Sequence, residues 1–153
     1  MPKINESELK REIKSGDFKN AYLLYGEESY LKEYYANELK NKIVDKTFEA
    51  FNFHCFDGKD TELDDILKDA QMLPMMSEYN FVMVKDYPIE KSAGDIKLLE
   101  EYLNDAVDTT VFVLWFDAIE PDVKSAKFKK VIKAFEKAGD CVELQKRSES
   151  DVA

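Results

Sequence analysis

The sequence predicts an α/β fold, a three-layer sandwich built on a mostly parallel five-stranded sheet, and three observations carry that expectation. Five short strand-like runs alternate with amphipathic helical stretches along the 153 residues. Two of the runs, 20–25 (Asn-Ala-Tyr-Leu-Leu-Tyr) and 110–116 (Thr-Val-Phe-Val-Leu-Trp-Phe), are almost wholly apolar, as in strands covered on both faces. Strands and helices alternating at this spacing require right-handed crossovers, which lay helices on both sides of a parallel sheet.

Taken in order, Asn5 with Glu8 forms a capping pair, Leu9 and Ile13 follow at helical spacing, and Gly16 ends a helix over 6–15. The strand at 20–25 stops at Gly26. From Ser29 to Asp45, Leu31, Tyr34, Tyr35, Leu39 and Ile43 share one side of an amphipathic helix. Residues 49–56 alternate Phe51, Phe53 and Cys55 against Asn52 and His54, a half-buried strand ended by Asp57-Gly58. Asp60 or Thr61 caps the next helix, whose buried stripe is Leu63, Ile66, Leu67 and Ala70. Residues 79–85 read as a strand, and Ser92 with Asp95 opens a helix carrying Ile96, Leu99, Tyr102 and Leu103. After the strand at 110–116, Lys124 to Ala138 forms a basic amphipathic helix closed by Gly139, and Cys141 to Leu144 makes the fifth strand.

Composition narrows the function classes. One domain of this length buries about 70% of the surface its unfolded chain exposes, and 44% apolar with 35% charged residues is a globular balance. A formal charge of −10 disfavours wrapping a phosphate backbone, since carboxylates forfeit the counterion release that basic residues gain, so DNA is expected to be met only indirectly. Cys55 and Cys141 lie far apart with no CxxC, which suggests neither a zinc site nor a disulfide framework. The polar start lacks the apolar run of a signal peptide and no eighteen apolar residues run together, so a cytoplasmic protein with no membrane partner is expected. The abrupt end after a strand-like segment reads as part of a longer polypeptide.

In such folds the turn after the first strand is the default phosphate site. Here Gly26-Glu27-Glu28-Ser29-Tyr30-Leu31 is read as lacking both the second glycine and the lysine of a P-loop, with two acids where an anion would sit. Glu27 and Glu28 repel phosphate and complement a helix dipole instead, so no cofactor is expected. His54 has no assignable nucleophile or carboxylate, and Asp117, at the end of the 110–116 strand, has no phosphate cradle to serve. The acids Asp57, Asp60, Glu62, Asp64 and Asp65 lack the spacing of a calcium loop. Tyr34-Tyr35 and Phe51-Phe53, imaginable as base-stacking platforms, are read as core because no basic groove accompanies them. No catalytic or metal-binding residue is assigned.

One segment is left over. In Met72-Leu73-Pro74-Met75-Met76-Ser77-Glu78, Pro74 bars continuation of the preceding helix and large apolar side chains follow one another too closely to face one core. Two readings stay open: an apolar tip that docks into another protein, or Leu73 and Met76 packed under the sheet edge.

The run Ala21-Tyr22-Leu23-Leu24-Tyr25-Gly26-Glu27-Glu28-Ser29-Tyr30-Leu31, then Phe51-Asn52, then Leu73-Pro74-Met75-Met76-Ser77-Glu78 before Phe81-Val82-Met83-Val84-Lys85, resembles the delta subunit family of bacterial DNA polymerase III clamp loaders. The resemblance spans residues 6 to about 145. It implies an AAA+-like domain with a degenerate phosphate loop over 1–145, not an enzyme by itself, with 146–153 starting a linker to helical domains that join other clamp-loader subunits. It also implies that the domain binds the sliding clamp (beta subunit) and helps to open the ring for loading onto DNA during replication, through Leu73, Pro74, Met75 and Met76. Family members usually carry Leu-Pro-Phe-Phe-Ser-Glu there, so Met75 and Met76 depart from the pattern, as does Tyr79-Asn80 where a basic residue is common. The competing expectation from the residues alone is a nucleotide-binding or phosphate-transferring α/β enzyme with an atypical loop.

Overall fold

The computed structural model describes residues 3–144; the expected linker at 146–153 lies outside them. All strand pairings are parallel and the sheet order is β1-β6-β2-β5-β4-β3, where β1 is Lys3–Ile4, β2 Ala21–Tyr25, β3 Phe53–Asp57, β4 Asn80–Lys85, β5 Thr110–Trp115 and β6 Asp140–Glu143. The five expected strands are present, and the two-residue β1 adds an edge beside β6 that no pattern in so short a run could announce.

The period-2 alternation of the strands sorts their side chains into two cores. Ala21, Leu23, Tyr25, Val82, Val84, Phe112 and Leu114 face α4 (Leu63–Ala70), α5 (Ala93–Asn104) and α6 (Ala126–Ala138). Tyr22, Leu24, Phe81, Met83, Val111, Val113 and Trp115 face α1 (Glu6–Ser15) and α2 (Ser29–Ile43). β2 and β5, buried at every position, sit mid-sheet, as their unbroken apolar runs require.

Helix ends follow local chemistry. Asn5 accepts the Glu8 amide at 2.9 Å and Gly16 closes α1 at φ +83°; Ser92 and Ser125 cap α5 and α6 through the amides of Asp95 and Phe128. Gly139 is needed for space, because a Cβ there would overlap the Ala21 carbonyl where α6 crosses back to the sheet.

Four local expectations are corrected. Residues 49–52 are a helical turn (α3, Glu49–Asn52), not the start of a strand, so Phe51 is exposed and Asn52 is buried, the reverse of the expected alternation. β3 is an edge strand, and Cys55 on it is exposed. On α2 the buried face is Lys32, Tyr35, Ala36, Leu39 and Ile43, which leaves Tyr34 outside, stacked on Tyr30 at 6.2 Å. Finally, α4 begins after Glu62 with no side-chain cap; Thr61 instead donates its hydroxyl to the Asp57 carbonyl.

One buried acid makes the fold sensitive to pH. Asp140, only 3% exposed at the start of β6, lies beside Glu12 and Lys19, whose ammonium is 3.2 Å from Glu12 and 3.7 Å from Asp140. Burial drives the Asp140 carboxyl up, Glu12 adds to the rise and Lys19 opposes it, leaving it at about 7 against an ordinary 3.8. The folded state therefore keeps a proton that the unfolded state has already lost, and stability falls as pH rises through that window. Asp140→Asn, an isostere of the protonated form, is expected to raise the melting temperature at about pH 8 and to leave it nearly unchanged at about pH 4. Thermal melts at the two values check this, and an equal shift at both would contradict it.

Candidate protein-docking site

Because every strand runs the same way, all strand starts lie at one edge of the sheet and all strand ends at the other. The 71–79 loop leads into β4 and therefore sits at the first edge, while the turn at Gly26 follows β2 and sits at the second. The six residues of β4 alone separate the two edges by about 20 Å.

The loop is shaped from beneath by polar side chains. α4 ends at Ala70, whose carbonyl accepts the Thr110 hydroxyl at 2.7 Å. Asn80, fully buried, donates its amide to the carbonyls of Asp69 (2.9 Å) and Met72 (3.1 Å), which stops the helix and turns the chain. This explains Asn80 where a basic residue is expected by resemblance: a short amide fits the buried position and satisfies the helix end. Farther along, buried Asn52 accepts the Met75 amide at 2.7 Å and donates to the Met75 carbonyl at 2.8 Å. Met76 then takes the left-handed backbone, φ +58°.

On this fixed backbone the apolar side chains point outward. Relative exposure is 46% at Met72, 72% at Leu73, 54% at Met75 and 79% at Met76, and Phe51 is exposed on the adjoining turn. Pro74 is half-buried. Of the two readings left open above, packing under the sheet edge is excluded. A lone exposed Leu or Met is ordinary on any surface, but four within five consecutive positions exceed scattered exposure, which makes this loop a candidate docking surface.

At the opposite edge, the default phosphate turn is closed by its own chain. Gly26 adopts φ +116°, and a Cβ there would overlap the Leu144 carbonyl. Leu144 donates its amide to the Tyr25 carbonyl (2.7 Å) and accepts the amide of Glu28 (3.0 Å), so the residue that follows β6 bonds into the turn. Lys32 corrects the sequence reading. P-loop spacing counted from Gly26 puts Leu31 at the second glycine, Lys32 at the lysine and Glu33 at the Ser/Thr, so the lysine is present and only its companions are missing. Its ammonium is buried and donates to the Gly26 carbonyl at 2.8 Å. Burial lowers its pKa, against the pull of Asp117, Asp86, Glu120 and Glu28. A hollow of about 370 Å³ beside the turn is lined by Glu27, Glu120, Asp122 and Glu143 against Lys124. A triphosphate placed there would meet four carboxylates.

The remaining candidates are structural. Asp117 lies exposed after β5, 3.8 Å from Lys85. Its buried neighbour Asp86, at φ +57° after β4, accepts the amides of Asp117, Ala118 and Ile119 at 2.7–3.1 Å. Burial raises the Asp86 pKa, but the three amides outweigh it and bring the carboxyl below its usual range. His54 faces the Asp69 carboxylate at 3.5 Å, a partner that spacing along the sequence could not assign. Among the described residues no group of three or more His, Cys, Asp or Glu side chains could hold a metal ion, and no helix is long and apolar enough to cross a membrane.

Sheet order, crossover helices and a P-loop remnant define this chain as an AAA+-like α/β domain. The sequence model for the DNA polymerase III, delta subunit family matches residues 22–145. The DNA polymerase III subunit delta of Bacillus subtilis (strain 168) is 31% identical over 134 residues, which are 83% of this chain and 38% of that protein. The solved Bacillus subtilis DNA clamp loader delta protein superposes with a TM-score of 0.80 at 26% identity, over 95% of this chain and 44% of its own. A DNA polymerase III gamma subunit-related protein from Thermotoga maritima shares the fold, with a TM-score of 0.61 at 17% identity over 93% of this chain and 47% of its own. The chain belongs to the DNA polymerase III delta subunit family, and it spans less than half the length of these relatives.

Closure of the turn generates a prediction. Gly26→Ala forces both a left-handed φ and an overlap with Leu144, and is expected to cost about 2–4 kcal/mol of stability by chemical denaturation. A loss under about 0.5 kcal/mol, the size of an ordinary surface change, would show that the turn does not depend on this packing.

Proposed function

We propose that this domain binds the sliding clamp through the 72–76 loop and helps to hold the ring open for loading onto DNA, acting as a protein-docking module that neither binds nor hydrolyses ATP. The observation that carries the reading is an apolar patch, Met72, Leu73, Met75 and Met76, held out to solvent on a backbone fixed by Asn52 and Asn80. An apolar side chain that has no place in its own core but a fixed position on the surface suits a partner with an apolar cleft. Leu73 supplies a branched anchor. Met75 and Met76 supply long flexible thioethers that adapt to a cleft wall. Association with other clamp-loader subunits is assigned to the part of the relatives' length that this chain does not span.

The nucleotide half of the proposal is supported by the turn: Leu144, the Lys32 ammonium and four surrounding carboxylates occupy or oppose the place of a triphosphate. Calorimetric titration of the chain with ATP and magnesium is expected to give no binding heat, and a saturable heat would sink this half.

For the docking half, Met75→Ala combined with Met76→Ala is expected to weaken clamp binding by about 2 kcal/mol or more. Both side chains are largely exposed, so the melting temperature should stay put. Surface plasmon resonance on immobilised clamp measures the first and a thermal melt the second. Undiminished affinity in the double variant would remove the loop from the interface.

A further inference from the structure

We infer that Asn52, which lies outside the apolar patch, is the positioning residue that holds the docking loop in its binding shape; the inference rests on the docking reading above. Asn52 is 2% exposed and cannot itself form part of a contact surface. Its side chain takes both hydrogen-bonding groups of one residue of the loop: Oδ1 accepts from the Met75 amide at 2.7 Å and Nδ2 donates to the Met75 carbonyl at 2.8 Å. Nδ2 also reaches the Phe48 carbonyl at 3.3 Å, which anchors the side chain to the turn that carries it. The pair of bonds imitates a strand neighbour, and it spans 23 positions of sequence.

The chemistry selects asparagine. An aspartate there would accept but not donate, a leucine would do neither, and a buried serine is too short to bracket a whole residue. From Leu73 to Met76 the described backbone makes no hydrogen bond other than these two. The Asn52 bracket therefore accounts for the order of the segment that carries the most exposed side chains. It also braces the step into Met76, a non-glycine residue in the left-handed region, which an unrestrained loop would leave. With the bracket in place, the loop enters a partner's cleft already shaped. Without it, ordering has to be supplied by the binding energy.

The test is clamp binding by the wild-type chain, Asn52→Ala, Met75→Ala/Met76→Ala and the triple variant, with hydrogen exchange at the Met75 amide as an independent readout. Asn52→Ala is expected to bind about tenfold more weakly, through lost preorganisation. In the Met75→Ala/Met76→Ala background the same change should cost clearly less than in the wild type, because two of the side chains it positions are already removed while Leu73 remains. A merely structural role would give the same loss in both backgrounds. The Met75 amide of the wild-type chain should exchange slowly. Free exchange there overturns the inference without any variant having to fold. If wild type binds and Asn52→Ala binds equally well, or its loss is additive, the bracket is overturned and the docking reading stands. If wild type does not bind the clamp, both fall together.

Discussion

A parallel sheet has two chemically different edges, and the division of labour in this domain follows from that constraint. At the edge where strands end, turns lead into helix N-termini whose backbone N–H groups can face an anion, and P-loop chemistry belongs there. At the edge where strands begin, chains arrive from helix C-termini with no dipole to attract a phosphate. The exposed apolar loop occupies this second edge, between α4 and β4. An interface built there can change freely without touching the turn, and the turn can close without disturbing the interface.

Closure of the turn is active replacement. The Leu144 amide and carbonyl both bond into it, and Lys32 folds back to the Gly26 carbonyl in place of a ligand oxygen. A buried ammonium needs an acceptor and nearby negative charge, and the carbonyl together with Asp86, Asp117 and Glu120 supply them. Asp86, in turn, commits its carboxylate to three amides of the loop after β5, which leaves little capacity for a metal ion. Leu144, the Gly26 carbonyl, the Lys32 ammonium and the Asp86 carboxylate thus all have protein partners, and opening the turn would mean breaking several of those bonds at once.

The fold was legible because its signals are cooperative and long. Alternating apolar runs and helical stripes extend over many residues, and capping pairs such as Asn5 with Glu8 and Ser92 with Asp95 sit where the local chemistry predicts. The exposed loop was legible as a surplus: Pro74 and four large apolar residues had no periodic place. Illegible were the features set by tertiary partners. Asn52 looked like the polar face of a strand because a single helical turn and a short strand share too few residues for period to separate them, and its burial depends on Met75, far away in sequence. Asn80 reads as a strand-start polar residue until Asp69 and Met72 are seen to need a donor. Lys32 stands at the correct P-loop spacing from Gly26 and was legible in principle. With Leu31 in place of the second glycine and Glu33 in place of the hydroxyl, the pattern around the lysine no longer marks it out.

Rigid backbone and soft side chains solve different parts of the same recognition problem. Association has to offset the entropy of ordering a loop, at roughly 1–2 kcal/mol for each residue fixed, before any contact contributes. A loop tied down at Met72 and Met75 has met much of that cost on folding, so contacts made by Leu73 and its neighbours count almost fully toward affinity. Methionine then restores some of the loss, because its three rotatable bonds freeze on binding where an aromatic ring would freeze fewer. What it gains is tolerance, since a thioether can follow a cleft whose walls shift. For the docking role proposed above, an anchor that keeps its grip over a range of cleft shapes is worth more than one that fits a single shape tightly.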